Sequence, residues 1–152
     1  MQDLNSTPRT NLLIGLGLFA ALAISLYWIL WFFAPQTIQV FNTSSPEYPT
    51  YVAFEQAFLL ADSWLAIVSL CGVVGLLKMR RWGLLCMLLA GSSAIFLGLM
   101  DLMYDLQHAV FVPLTFEATT EFVIVVLLLG LGVSVIGMCW LEIRHFSVQR
   151  WQ

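Results

Sequence analysis

The sequence predicts an all-α fold: a polytopic membrane four-helix up-down bundle with the N and C termini cytoplasmic. Three observations carry that prediction. Of 152 residues, 61% are hydrophobic and 10% charged, with a mean hydropathy of +0.90, which is too little polar surface to coat a soluble globule of this size. Four apolar stretches are each long enough to cross a hydrocarbon core of about 30 Å, which takes roughly 20 helical residues. All 6 basic residues fall at one end of those stretches, as retention of Lys and Arg on the cytoplasmic side requires.

The first helix is expected over about residues 11–34. It holds no charged residue, its apolar run is about twice a signal-peptide h-region, and no small-x-small cleavage pattern precedes Pro35, so it reads as a retained span. The second and third helices, about 53–77 and 82–104, are joined by a short turn carrying Lys78, Arg80 and Arg81, which makes them an antiparallel hairpin. The fourth covers about 122–141. Outer loops are then expected at 35–50 and 105–120, the latter carrying Pro113, and residues 1–152 form a single transmembrane domain.

Arg9 before the first helix, the basic turn, and Arg144 and Arg150 after the fourth helix together set the orientation, and the expected location is multi-pass in the plasma (inner) membrane. Trp82 and Trp140 mark the inner interface, and Trp28, Trp31 and Tyr104 the outer one. The few basic residues are explained by topology, so nucleic acid is not an expected partner. Cys71, Cys86 and Cys139 lie inside apolar stretches without a CxxC pair, so they read as small hydrophobes and supply no redox thiol motif. Close helix packing is expected along Gly17, Ala21 and Ser25, along Ala90, Ala94 and Gly98, and along Gly130, Ser134 and Gly137.

Against this hydrocarbon background stand Glu55, Asp62, Asp101, Asp105, His108, Glu117 and Glu121, all at the outer end. Charge beside a membrane core is costly and ordinarily marks a site. Asp101, Asp105 and His108 are spaced i, i+4, i+7, which puts them within about 60° of one another on the third helix. Glu55 and Asp62 share a face of the second helix in line with Ser69, and Glu117 and Glu121 are one turn apart on the fourth. Asp62 lies deepest, roughly 24 Å from the inner end at about 1.5 Å per residue. Glu117 and Glu121, and also Glu55, fit equally the role of first-turn acids that favour a helix N-terminus.

With no Lys or Arg at that end, so many carboxylates cannot all stay ionised in a low dielectric, and three resolutions are physically available. A divalent metal held by Asp62, Asp101, Asp105, His108 and Glu121 neutralises them; such a donor set suits calcium, manganese or iron. The Glu-x-x-His of ferritin-like bundles is lacking, Asp105-x-x-His108 being its nearest equivalent. Alternatively, Asp62, Asp101 and His108 are catalytic, sharing protons in acid–base chemistry on a lipid-like substrate. In the third resolution an organic cation or lipid-like ligand is bound or transported, with Asp62 and Asp101 as counter-ions, Asp105, Glu121, Glu55 and Glu117 as further ligand-binding acids, and Trp64, Tyr104 and Trp28 offering aromatic faces. The leading expectation is an outward-facing carboxylate/His pocket for such a ligand. The alternative is a non-catalytic subunit of a larger membrane complex or homo-oligomer, whose acidic rim meets a basic protein partner.

Overall fold

Helices take up most of the chain because a backbone crossing hydrocarbon must satisfy its own N–H and C=O groups. A computed structural model describes residues 8–39, 41, 43–112 and 115–149; the side chains of Glu117 and of residues 144–149 lie outside that description, and so do Pro113 and Arg150. Among the described residues four long helices follow in order, α1 (Pro8–Phe33), α2 (Tyr48–Leu77), α3 (Arg81–Gln107) and α4 (Phe116–Gln149), with a 3₁₀ turn at Pro35–Thr37 and no strand. All four are long and apolar enough to cross a membrane, as a multi-pass integral membrane protein requires.

The helices outrun their expected limits, and the loops expected at 35–50 and 105–120 shrink accordingly. α2 starts at Tyr48 because Pro49 falls in its first turn, where a missing N–H breaks no helical bond. Thr115 Oγ1 accepts a hydrogen bond from the Ala118 N–H at 3.2 Å, capping α4 some six residues before its apolar run begins. α3 continues to Gln107 and closes with the Val110 N–H donating to the Asp105 carbonyl at 3.0 Å, Ala109 sitting between them at φ 50°. That is the Schellman arrangement, which normally recruits glycine at the left-handed position. The same motif ends α2, where the Arg80 N–H donates to Gly75 O at 2.8 Å and Met79 has φ 54°. Asp105 and Glu121 are therefore helical residues held by backbone on either side, not loop residues.

Neighbouring helices run antiparallel, with the α2–α3 and α3–α4 pairs in the most extensive contact. Two close approaches set their spacing. A Cβ on Gly75 would lie 2.5 Å from the Gly83 Cα, and one on Gly132 would lie 2.6 Å from the Gly91 carbonyl oxygen, so these backbones touch directly. Gly17 and Gly98 also pack against neighbours, whereas Gly130 and Gly137 face open space and Ser134 is exposed. The small-residue seam of α4 is thus at Gly132, not along Gly130, Ser134 and Gly137, because the helix is rotated to put Val135 and Cys139 inward. Cys139 is fully buried as expected, but Cys71 is exposed on the lipid-facing surface.

The interior is layered. At the end carrying Arg9 and the basic α2–α3 turn, Leu13, Leu76, Leu84, Met87, Val135 and Cys139 form one apolar cluster that closes α1 onto α4. Leu65, Val68, Ala90, Ala94 and Leu97 fill the middle. Toward the acidic end the core becomes aromatic, built on Trp28, Trp31, Tyr51 and Tyr104. These tryptophans and Tyr104 point inward and are nearly inaccessible; they are not the outward interface belt that their position in sequence implied. Each has a ring partner within the bundle, which is a better place for so large an apolar face than the membrane boundary.

Candidate functional site

The period of the α-helix places Glu55 and Asp62 two turns apart on one face of α2. That face meets α1, whose adjacent residues Tyr27 and Trp28 supply the donors. The Tyr27 hydroxyl donates to Glu55 Oε2 at 2.6 Å, and the Trp28 indole N–H donates to Asp62 Oδ2 at 3.0 Å. Both bonds tie α1 to α2 inside the span, where a carboxyl group without a donor is costly.

Next to these pairs lies a cavity of about 300 Å³ lined by residues of all four helices, most of them from α1 and α4. Glu55 and Asp62 from α2, Asp101 from α3 and Glu121 from α4 line it. Tyr27 lines it too, and the rest of its wall is hydrocarbon, with Phe19, Ala23 and Leu26 from α1 and Ile124, Leu127 and Leu131 from α4. Asp62 and Asp101, the pair that had to converge for any shared site, therefore face one chamber. Glu121 is 7% exposed and makes no hydrogen bond among the described residues. Its carboxyl sits a little over one turn into α4, beyond the first turn in which the helix N-terminus compensates an anion.

The other expected residues are placed differently. Asp105 is 3% exposed and one of its carboxyl oxygens has no partner, but it lies beside the chamber and does not line it. His108 is the C-cap of α3, exposed, with Nδ1 2.9 Å from the Tyr104 carbonyl and its ring stacked on that of Tyr104 at 4.0 Å. The capping turn carries it away from Asp62 and Asp101, so the three do not form the set expected for acid–base catalysis. Tyr104 is sandwiched between Phe54 and His108, its hydroxyl buried without a partner. Trp64 is 51% exposed and lies in a shallow groove with Ser92, Ser93 and Phe96 on the opposite side of α2, not against the carboxyl groups. The Glu117 side chain lies outside the described residues.

Among the described residues no three His, Cys, Asp or Glu side chains stand together as a metal-holding group. The five candidate ligands are split between the chamber, the space beside it and the exposed cap. Ser69, which continues the Glu55–Asp62 face, is fully buried with its hydroxyl unpartnered, below the chamber floor at Leu65 and Leu131.

Tyr27 is the carboxyl partner that the sequence reading leaves out, and Trp28, expected as an interface marker and an aromatic face, is instead a donor to Asp62. Their signal is present in the sequence, since two aromatic residues with polar tips sit side by side at the depth of Glu55 and Asp62. No protein-family model matches the chain, and comparison with curated proteins and with solved structures returns no match.

Proposed function

We propose that this is a membrane binding protein that holds the cationic head of a lipid-like ligand among Glu55, Asp62, Asp101 and Glu121, with the acidic end turned out of the cytoplasm. The observation that carries this reading is Glu121: a side chain only 7% exposed that makes no hydrogen bond among the described residues and opens on a chamber that three further carboxyl residues share. Charged groups kept at such depth are retained for a counter-ion or a ligand. Glu55 and Asp62 lie about 10 Å apart along α2 at 1.5 Å per residue. That spread suits a bulky organic head better than an ion, whose ligand oxygens must converge within about 2.0–2.6 Å of one centre.

In this scheme Asp101 and Glu121 are the counter-charges. Tyr27 and Trp28 fix the carboxyl groups of Glu55 and Asp62, and the ring of Tyr27, which lines the chamber, supplies the attraction that an aromatic side chain offers an ammonium. The hydrocarbon walls take the chain of the ligand. For a ligand with a primary amine head, the same carboxyl groups exchange its proton, which is the acid–base chemistry the seat supports.

The test is equilibrium binding of dodecyltrimethylammonium to the protein in lipid nanodiscs, set against dodecanol and dodecyl sulfate. The ammonium compound is expected to bind and the others not. Asp101→Asn with Glu121→Gln is expected to weaken it at least tenfold. Equal binding of dodecanol, or an unaffected double variant, would sink the reading.

A further inference from the structure

Among the described residues the acidic end beyond the chamber is packed, whereas several residues that line the chamber from α1 and α4 are half exposed, and that contrast points to how a ligand reaches it. One turn beyond the carboxyl groups stand Trp31 above Tyr27 and Trp28, Tyr51 above Glu55, and Tyr104 above Asp101. They are 5%, 2% and 7% exposed, and Trp31 and Tyr104 both pack on the ring of Tyr51. Phe41 and Ile38 from the α1–α2 connection lie on this aromatic layer. Ala118, one turn beyond Glu121, and Val110 are buried at the same end. Among the described residues, a solute arriving from water there meets a packed aromatic layer.

The lateral side is different. Phe19, Leu26 and Leu127 line the chamber and are also 49%, 56% and 50% exposed, so the same residues face both chamber and bilayer. Near the basic end α1 and α4 are joined by Leu13, Val135 and Cys139; the opening lies in their other halves. Its rim is hydrocarbon throughout, which offers nothing to a hydrated ion but matches an acyl chain. Glu121, nine-tenths buried and without a hydrogen bond among the described residues, lines the chamber behind that rim and supplies the charge that an ammonium head would neutralise.

We infer that the seat is filled from the bilayer, through the slot between α1 and α4, by a single-chain amphiphile carrying an ammonium head. The inference rests on the binding reading given above and adds to it the route and the shape of the ligand. Its chain stays in the slot between Leu26 and Leu127 while the head passes to Asp101 and Glu121.

The experiment is stopped-flow tryptophan fluorescence on protein in nanodiscs mixed with dodecyltrimethylammonium, comparing the native chain with Leu26→Trp, Leu127→Trp and Phe41→Ala. Both rim positions are half exposed, so the larger ring is accommodated without repacking the core. Narrowing the slot is expected to slow association and dissociation together by about tenfold, because a barrier on the path raises the crossing for entry and exit alike. Phe41→Ala, which loosens the aromatic layer, is expected to leave both rates unchanged. Association unaffected by both rim variants, or accelerated by Phe41→Ala, overturns the lateral route. Dissociation that quickens in the rim variants also overturns it, since their effect would then be lost contact with the bound chain and not a barrier on the path. Absence of any ammonium binding to the native chain instead refutes the reading on which the route depends, and the two failures are distinguishable.

Discussion

The Trp28 indole nitrogen stands 3.0 Å from a carboxyl oxygen of Asp62, joining α1 to α2 in the middle of the span. One residue earlier, the Tyr27 hydroxyl makes the equivalent bond to Glu55. Consecutive residues of a helix diverge by about 100°, so the two bonds leave α1 at different angles and reach positions seven residues apart on α2. Together they fix both the rotation and the height of α1 against its neighbour. A single apolar seam, tolerant of sliding, does neither.

That relationship is testable by a double-mutant cycle. Trp28→Phe keeps most of the ring and removes the donor, and Asp62→Asn keeps the shape and changes the acceptor. Hydrogen bonds between membrane helices are worth about 0.6 kcal/mol on average and up to roughly 1.7. A coupling near 1 kcal/mol is therefore expected between the two substitutions, measured by unfolding in mixed micelles. Strict additivity would mean that the bond contributes nothing to stability.

A second expectation concerns Ala109, which ends α3 at φ 50°. An L-residue in the left-handed region costs roughly 1–2 kcal/mol that glycine avoids. Ala109→Gly is expected to stabilise the protein by about 1 kcal/mol, less a small loss from greater chain freedom in the unfolded state. Thermal unfolding in detergent checks it. A lowered midpoint would show that the turn is not held in the Schellman geometry.

Glycine packing gives the third. Gly75→Ala and Gly83→Ala each drive a methyl group into the backbone of the facing helix, at 2.5 Å from its nearest atom, and backbone cannot rotate out of the way. Overpacking of this kind costs typically 1–3 kcal/mol. Gly130→Ala meets nothing within 4 Å and is expected to leave stability unchanged or slightly raised. The contrast between the two sets is the measurement, read as unfolding midpoints of variants prepared in the same detergent.

Hydropathy alone made the four spans legible, because length and composition are all a bilayer demands of a helix. The ends were not legible, since they are decided by caps that hydropathy does not register: Thr115 at α4, Pro49 within the first turn of α2, and the left-handed Ala109 and Met79. Helical spacing accounts for Glu55 and Asp62 on one face of α2, because residues two turns apart share a face; that Asp101 and Glu121 line the same cavity depends on how α3 and α4 are rotated. Spacing failed for His108, where the cap breaks the helical period after Gln107, and for Trp64, which lies two residues from Asp62 and so about 200° around α2. Facing directions between helices depend on rotation about their axes, which in α4 follows from the contact at Gly132 and not from the evenly spaced Gly130, Ser134 and Gly137.

The last expectation is a titration outside the span. Glu47, the residue preceding α2, accepts a hydrogen bond from the Ser45 hydroxyl, and its own N–H donates to Ser45 Oγ at 3.3 Å. The Ser45 bond, followed by the local backbone N–H and a small contribution from His108, holds the Glu47 carboxyl below its ordinary value of 4.5. A carboxyl depressed on folding contributes stability that is present above its unfolded value and is lost as pH falls through the lower folded one. Ser45→Ala removes the leading cause, so the Glu47 midpoint is expected to rise toward 4.5. His108→Ala should move it in the same direction and by less. Carbon-13 detected titration of the Glu47 carboxyl in micelles reads both shifts, and a midpoint unmoved by Ser45→Ala would mean that the turn before α2 does not close through this hydroxyl.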